Sequence, residues 1–391
     1  MDDPPRMHWT EDGQPRVARW RSERGAPPPG RVVIVDDTTN ADHAYGLAAQ
    51  GTGLLWRGDF QNARQMLNAL ASRFDRPARK AKRTAVAPST DPPPGSPAMA
   101  TAFHLHRQSR SQRARTLGML LVEMDADYRI ALRRAPDVTQ AFVEAHGPAH
   151  ESAVVSLREL LGVVGAHEWR ARGIDVPAAG GRIHPHYGVF APIRREYVDL
   201  VADAPLPDAT RATSLAFDVG TGTGVLAAVL ARRGLARVIA TDVDERALSC
   251  ARANVERLEL GGAVDVVAAD LFPPGRAPLV VCNPPWVPGR PSSSLEQSIY
   301  DPDSRMLRGF LAGLAAHLAP EGEGWLVLSD FAEQLGLRSR ASLLSWIEAA
   351  GLRVVGRADV QPVHPKVFDA TDPLHAARAA EVTSLWRLAS R

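Results

Sequence analysis

Cysteine is nearly missing from this sequence. Cys250 and Cys282 are the only two among 391 residues. They cannot build a disulfide framework or, by themselves, a zinc site, which excludes small secreted scaffolds and zinc fingers. Lysine is almost as scarce, confined to Lys80, Lys82 and Lys366. No apolar run reaches the ~18 residues that a membrane span needs. Met1 to Gly30 carries five Arg and two Trp without an apolar signal core, so the expected address is cytoplasmic and no membrane partner is expected. No internal repeat is visible. With 45% hydrophobic and 23% charged residues the composition is that of a globular protein, neither disordered nor fibrous. A prior of one domain per ~150 residues suggests two or three domains.

The near-neutral net charge of +2 hides an asymmetry. From Arg57 to Arg134 there are 15 basic and 6 acidic residues, so this stretch carries +9 and the remainder −7. Such a segment can meet an anionic partner. The bland alternative is a compositional bias toward Arg and Ala. Arg107, Arg110, Arg113 and Arg115 would spread over roughly 200° of a helix at 100° per residue, a broad solvated face rather than a narrow groove-reading stripe.

The first thirty residues end in Gly-Ala-Pro-Pro-Pro-Gly, show no hydrophobic period, and read as a disordered tail. Order is expected from Arg31. Val32 to Val35 is a β-branched run; residues 41–50 and 61–74 carry apolar residues at helical spacing, with Asp59 as N-cap of the second. Residues 76–98, rich in Pro, Arg and Lys, read as an exposed linker. Helical patterns continue to about residue 172, with one strand expected near 120–132. Residues 31–184 are therefore expected to form an α-rich (α+β) accessory domain.

After Pro185 the pattern becomes regular. Short β-branched runs alternate with helices of about a dozen residues, the signature of an α/β parallel sheet wound by helices. Strands are expected at 215–219, 237–241, 264–268, 279–282, 325–328 and 352–356, with a last one at 382–388. Helices are expected at 225–233, 245–260, 304–318 and 340–350. Leu307, Phe310, Leu311 and Leu314 mark the buried stripe of the third.

The strongest motif is Phe217-Asp218-Val219-Gly220-Thr221-Gly222-Thr223-Gly224, a strand running through alternate glycines into a helix. Glycines there let the backbone turn sharply and let a ligand lie close against it. Gly222, Gly224 and Ala227 also satisfy a relaxed dinucleotide fingerprint, so a nicotinamide or flavin enzyme competes at this point. Asp242 closes the next strand, where a carboxylate accepts hydrogen bonds from ribose hydroxyls. The third strand ends in Asp270-Leu271-Phe272, offering a carboxylate to an adenine amine and an apolar shelf to its ring. The fourth ends in Asn283-Pro284-Pro285-Trp286, which a dehydrogenase has no reason to carry. All four motifs lie at carboxyl ends of successive strands, where open α/β sheets bind ligands.

Taken together this run resembles a class I S-adenosylmethionine-dependent methyltransferase of the small-domain kind, over roughly residues 188–391. The resemblance implies a Rossmann-like, seven-stranded sheet in a domain spanning 185–391. It implies that Asp218 with Gly220, Thr221, Gly222 and Gly224 holds the methionine part of S-adenosylmethionine, that Asp242 with Val243 holds its ribose, and that Asp270, Leu271 and Phe272 hold its adenine, with Asn283 nearby. Asn-Pro-Pro followed by an aromatic resembles the motif of enzymes that methylate a planar NH2. Such a nitrogen shares its lone pair with a π system and is a poor nucleophile. The Asn283 side-chain oxygen and the Pro284 carbonyl are expected to accept its two N–H groups and redirect the lone pair, with Pro285 stiffening the loop and Trp286 stacking on the flat group. No general base is required. Tyr187 to Tyr197 is similar in place to the segment leading HemK-type glutamine methyltransferases into their catalytic fold.

Other features carry less. His184/His186 and His104/His106 have no cysteine or clear carboxylate partner, and no metal is expected. Tyr300 to Arg305 caps a helix and lines the acceptor pocket, or is a routine Asp or Ser N-cap. Cys282 reads as a small buried strand residue. Three functions compete. The first is a protein methyltransferase acting on a glutamine amide, with a release factor or ribosomal protein as partner. The second is an adenine N6 methyltransferase acting on RNA or DNA, using the basic stretch as a phosphate-binding arm. The third is a non-catalytic cofactor-binding module.

Overall fold

The computed structural model describes residues 4–75, 92–291, 293–363 and 365–391. Most of the expected linker at 76–98 lies outside the described residues. The chain forms two compact units, Met1–Thr90 with Leu105–Glu168, and Asp91–His104 with Trp169–Arg391. Among the described residues no helix is long and apolar enough to cross a membrane.

The first unit is built on a six-stranded sheet, not on the α-rich core the sequence suggests. Its strands are β1 (Arg6–Glu11), β2 (Gln14–Trp20), β3 (Val32–Val35), β4 (Gly53–Trp56), β5 (Leu120–Met124) and β6 (Ala153–Ser156), in the order β1-β2-β6-β5-β4-β3. The expected disordered tail is corrected here: residues 6–20 are a hairpin. Asp12 and Gly13 turn it with φ 53° and 73°, the backbone that an Asp-Gly hairpin turn requires. Met7, Trp9, Ala18 and Trp20 alternate along the two strands and are buried against Leu55, Leu121 and Val154. That burial orders residues that composition alone leaves loose. The helix Phe60–Phe74 follows β4 with Asp59 as its N-cap, accepting from the Gln61 amide at 2.8 Å. Asp59 also accepts from Arg133 and Arg134 at 3.0 and 2.7 Å.

The second unit starts earlier than residue 185. The hairpin of β7 (Ile174–Val176) and β8 (Gly181–Ile183) puts Val176, Ala179 and Ile183 into the same core as the helix Val225–Arg232, which moves the boundary back to residue 169. The main sheet has seven strands: β9 (Leu215–Val219), β10 (Arg237–Asp242), β11 (Val264–Ala268), β12 (Ala277–Cys282), β13 (Leu318–Ser329), β14 (Leu352–Val360) and β15 (Thr383–Ser390). Their order is β11-β10-β9-β12-β13-β15-β14, parallel except for β15, which runs antiparallel to both neighbours. This is the Rossmann-like sheet the sequence implies.

Period-two alternation assigns side chains to two apolar layers. Ala216, Leu279, Val281, Trp325 and Val327 join the helix Val225–Arg232 on one face. Phe217, Val219, Val280, Cys282, Leu326 and Leu328 join Leu307, Phe310, Leu311 and Leu314 of the helix Arg305–His317 on the other. Covered on both faces, the sheet leaves its carboxyl edge as the place for a ligand. The strand order reverses between β9 and β12, and a crevice opens at such a reversal.

Candidate active site

Register brings the motifs together. Val219 of β9 pairs with Cys282 of β12 and with Thr241 of β10, and Asp242 pairs with Ala268 of β11. The residues that follow, Gly220, Asn283 and Asp242, therefore leave the sheet side by side at the reversal point.

Gly220, Gly222 and Gly224 have φ 73°, 55° and 79°, a region that side-chain-bearing residues avoid. They do different work. A Cβ on Gly220 would collide with Met306 Cε, and one on Gly224 would press on Ala251 at 3.3 Å. Nothing lies within 4 Å of the Cβ position of Gly222, which faces open space. The loop is held from one side by Thr241, whose carbonyl accepts the Gly220 and Thr221 amides at 2.9 and 2.8 Å. The Thr241 hydroxyl donates to the Leu271 carbonyl at 2.5 Å, tying the loop after β11 to β10. Leu271 itself has φ 70°. Thr241 was illegible as a site residue because its contribution is largely a backbone carbonyl.

Asp218 is 1% exposed. Its Oδ2 accepts the Thr221 hydroxyl at 2.6 Å and the Ala227 amide at 3.0 Å, so it braces the loop and the first turn of the following helix. The sequence points to Asp218 as a direct holder of the methionine part; in the structure its carboxylate is turned into the protein. Burial, reinforced by the charge of Asp242 and opposed by the two hydrogen bonds, pushes its carboxyl up to about 6. Tyr197 is buried within the field of Asp218, and burial with that field pushes its hydroxyl up.

Asp242 is half-buried, and burial raises its carboxyl above the usual range. Oδ2 accepts the Gly222 amide and Oδ1 the Asp244 amide, both at 3.0 Å. The Val243 amide also bonds this carboxylate; with two acceptor directions on each oxygen, at least one is left for a ribose hydroxyl. Val243 beside it is 70% exposed, an apolar surface open to a base. Asp270 is exposed, and among the described residues its side chain has no partner. Phe272 is the exception. Its ring lies parallel to His317 at 4.3 Å and to Phe310 at 5.7 Å, and its edge sits against Gly313. It fastens the helix Arg305–His317 while staying partly exposed, and Val243 carries the more open apolar surface.

Asn283 and Trp286 are joined directly. The Trp286 indole N–H donates to Asn283 Oδ1 at 2.8 Å. The Trp286 ring packs against both apolar layers of the sheet and against a third cluster with Val287 and Phe331. The ring thus braces the loop while remaining partly exposed. Oδ1 keeps its second acceptor direction. From Trp286 the chain continues to Val287, whose carbonyl accepts the Asp301 amide at 2.9 Å. The buried Asp301 carboxylate accepts the Met306 and Leu307 amides at 3.0 and 3.1 Å, capping the helix whose Met306 abuts Gly220. Burial raises the Asp301 carboxyl. The acceptor loop and the glycine loop thus share one anchor.

These residues fit S-adenosylmethionine. The cradle at Gly222 is open, Asp242 has acceptor capacity for ribose, Val243 offers an apolar face, and the paired carboxylates Asp218 and Asp242 suit a cationic ligand. Elsewhere the histidines do other work: His184 Nδ1 bonds the Arg170 carbonyl at 2.6 Å. Among the described residues no group of three His, Cys, Asp or Glu side chains could hold a metal.

Residues 181–337 match the model of the methyltransferase small domain. The ribosomal protein L11 methyltransferase of Pelotomaculum thermopropionicum is 35% identical over 145 residues, 36% of this chain and 39% of the relative. The release factor glutamine methyltransferase of Cereibacter sphaeroides is 31% identical, over 41% of this chain and 58% of the relative. The tRNA1(Val) (adenine(37)-N6)-methyltransferase of Bacteroides thetaiotaomicron is 32% identical, over 30% of this chain and 53% of the relative. The chain thus spans less than two thirds of the length of each. Over residues 181–337 the chain is thus similar to methyltransferase small domains.

Proposed function

We propose that this chain transfers a methyl group to a planar NH2 of a macromolecule, and that the acceptor is the side-chain amide of a protein glutamine. The observation that carries the proposal is the pairing of Val219 with Cys282, from which the glycine loop and Asn283 leave the sheet as neighbours. S-adenosylmethionine supplies an electrophilic methyl on a sulfonium. The protein's part is alignment. Asn283 Oδ1, with one acceptor direction taken by Trp286, uses the other for one N–H of the acceptor, and the Pro284 carbonyl takes the second. Both bonds favour a nitrogen whose lone pair is withdrawn from conjugation and directed across the crevice. Fixed dipoles of this kind lower a barrier without moving during the reaction. The amide sheds its proton after methylation, so no base is needed in the site.

The glutamine reading draws support from the release factor methyltransferase among the relatives and from the shared order of motifs. Adenine N6 is the second reading, supported by the tRNA adenine methyltransferase relative and the +9 stretch at residues 57–134. Incubating the protein with methyl-labelled S-adenosylmethionine and extract of cells lacking its gene separates them. Protease-sensitive label is the expected result. Nuclease-sensitive label would transfer the assignment to adenine, and label unaffected by Asn283→Ala would remove the site altogether.

A further inference from the structure

Arg338 follows the helix Phe331–Gln334, beyond the carboxyl end of β13. It is only 7% exposed, yet its Nε and Nη2 are buried with no hydrogen-bond partner among the described residues. These two nitrogens form one edge of the guanidinium, the edge whose parallel N–H bonds make a fork. Leaving two buried N–H groups of a guanidinium unbonded is costly, and native proteins rarely do so without a use for them.

The neighbourhood defines what is missing. Asp301, Asp330 and Glu333 all attract Arg338, and Arg340 repels it. Each of those carboxylates is already engaged. Asp301 caps a helix through both oxygens. Asp330 accepts from the Val382 amide at 2.7 Å and from Gln334 at 3.0 Å. Glu333 accepts from Arg340 at 2.8 Å. Arg338 is therefore compensated in charge and short only of acceptors in line with its fork. A phosphate would add another negative charge beside three carboxylates. A neutral carbonyl oxygen supplies what is lacking and adds none.

The position is on the acceptor side. Leu337 packs in the cluster formed by Val287, Phe331 and Leu335 with Trp286 and Tyr300, and Asp301 is bonded to Val287. The nucleoside half of the crevice, at β9 to β11, lies across the strand reversal. The segment after Asp301 is under backbone strain: Asp303 and Ser304 are consecutive non-glycine residues with φ 55° and 52°, a conformation that clusters at ligand sites.

We infer that Arg338 is a subsite for the methyl acceptor, in which Nε–H and Nη2–H receive a neutral amide carbonyl oxygen of the polypeptide. This rests on the glutamine reading above. The test uses the full chain and Arg338→Met, which keeps the bulk and removes both fork and charge. Whatever the loss of its attraction to the nearby carboxylates does to stability, a fork that receives the acceptor should be missed in function. The variant is expected to bind S-adenosylmethionine with unchanged affinity. It is expected to label the protease-sensitive fraction of gene-deleted extract at least tenfold more slowly at low extract concentration, the gap narrowing as extract is raised. Arg338→Lys, which keeps the charge and removes the fork, should show the same slow labelling and serves if the methionine variant does not fold. Unimpaired labelling overturns the inference whichever way stability moves: with a lower melting temperature Arg338 is a structural residue, and with a higher one its fork is met by water alone. Nuclease-sensitive label from the wild type would instead remove the glutamine reading, and with it the polypeptide carbonyl.

Discussion

Asp218 makes a prediction in which stability and function move in opposite directions. Its carboxyl is fully buried and titrates at about 6 instead of 3.8. At 1.36 kcal/mol per pKa unit the difference is about 3 kcal/mol. Because the folded value is raised, the folded protein holds this proton more tightly than the unfolded chain. The stabilisation is complete below pH 3.8 and is lost as pH rises through about 6. At pH 8 the free protein therefore carries an ionised, desolvated carboxylate, a cost that a bound cationic ligand would offset. Asp218→Asn retains an oxygen able to accept the Thr221 hydroxyl and the Ala227 amide but cannot ionise. Denaturant titrations of both proteins at pH 4.5, 6 and 8 should show the variant gaining on the wild type as pH rises, by up to about 3 kcal/mol at pH 8, less the cost of placing the amide NH2. Calorimetry at pH 8 should show it binding S-adenosylmethionine more weakly. Parallel stability–pH curves for the two proteins would refute the reasoning, because no other group differs between them.

The remaining predictions concern the crevice. Asp242→Ala should weaken S-adenosylmethionine by about 1.5–3 kcal/mol, as expected for hydrogen bonds to a charged group, and unaltered affinity in calorimetry would take Asp242 out of the site. Asn283→Ala should lower turnover by about 10²–10³-fold, the loss typical of one preorganised polar group, with cofactor affinity unchanged. Trp286→Phe keeps most of the packing and removes the indole N–H; it should lower kcat in the wild-type background and have little further effect in Asn283→Ala, because both changes act through one side chain. Additive losses in that cycle would return Trp286 to a role of its own. Gly220→Ala should destabilise the protein by more than about 1 kcal/mol, since a left-handed φ disfavours a Cβ, and Met306→Ala should recover only the part due to the collision.

Much of the second unit was legible because a parallel sheet turns sequence order into spatial order. Once Leu215–Val219, Arg237–Asp242, Val264–Ala268 and Ala277–Cys282 are read as successive strands, whatever follows each one arrives at the same edge, and the site residues can be gathered without knowing any long-range contact. Strand ends were harder. β13 begins at Leu318 but its first residues include Pro320, Glu321 and Gly322, none of which favours a strand, so only its apolar end at 325–328 shows a pattern. The first unit hides its sheet for a similar reason. β4 and β6 are four residues each and buried throughout, too short for a period to emerge. The hairpin at 6–20 announces itself only through Asp12-Gly13 flanked by Met7, Trp9, Ala18 and Trp20, a signal outweighed by the surrounding Arg and Pro.

What the sequence could not reveal is which side chains are free. Phe272 and Trp286 both follow a strand end, and both are aromatic in a place where a ligand ring is expected. The first is claimed by Phe310 and His317 on a later helix, the second by three apolar clusters and the Asn283 amide. Availability depends on what packs against a residue from elsewhere in the chain, and no local pattern encodes that. The converse holds for Arg338, an unremarkable arginine in sequence whose character lies in the bonds it lacks. The variants rank accordingly. Changes at Asp242 and Asn283, whose polar atoms retain unused acceptor directions, should alter binding or turnover with little loss of stability. Changes at Phe272 should do the reverse: Phe272→Ala should destabilise the fold by about 3 kcal/mol or more, a loss read in denaturant titration, while the cofactor affinity of the protein that remains folded is unchanged.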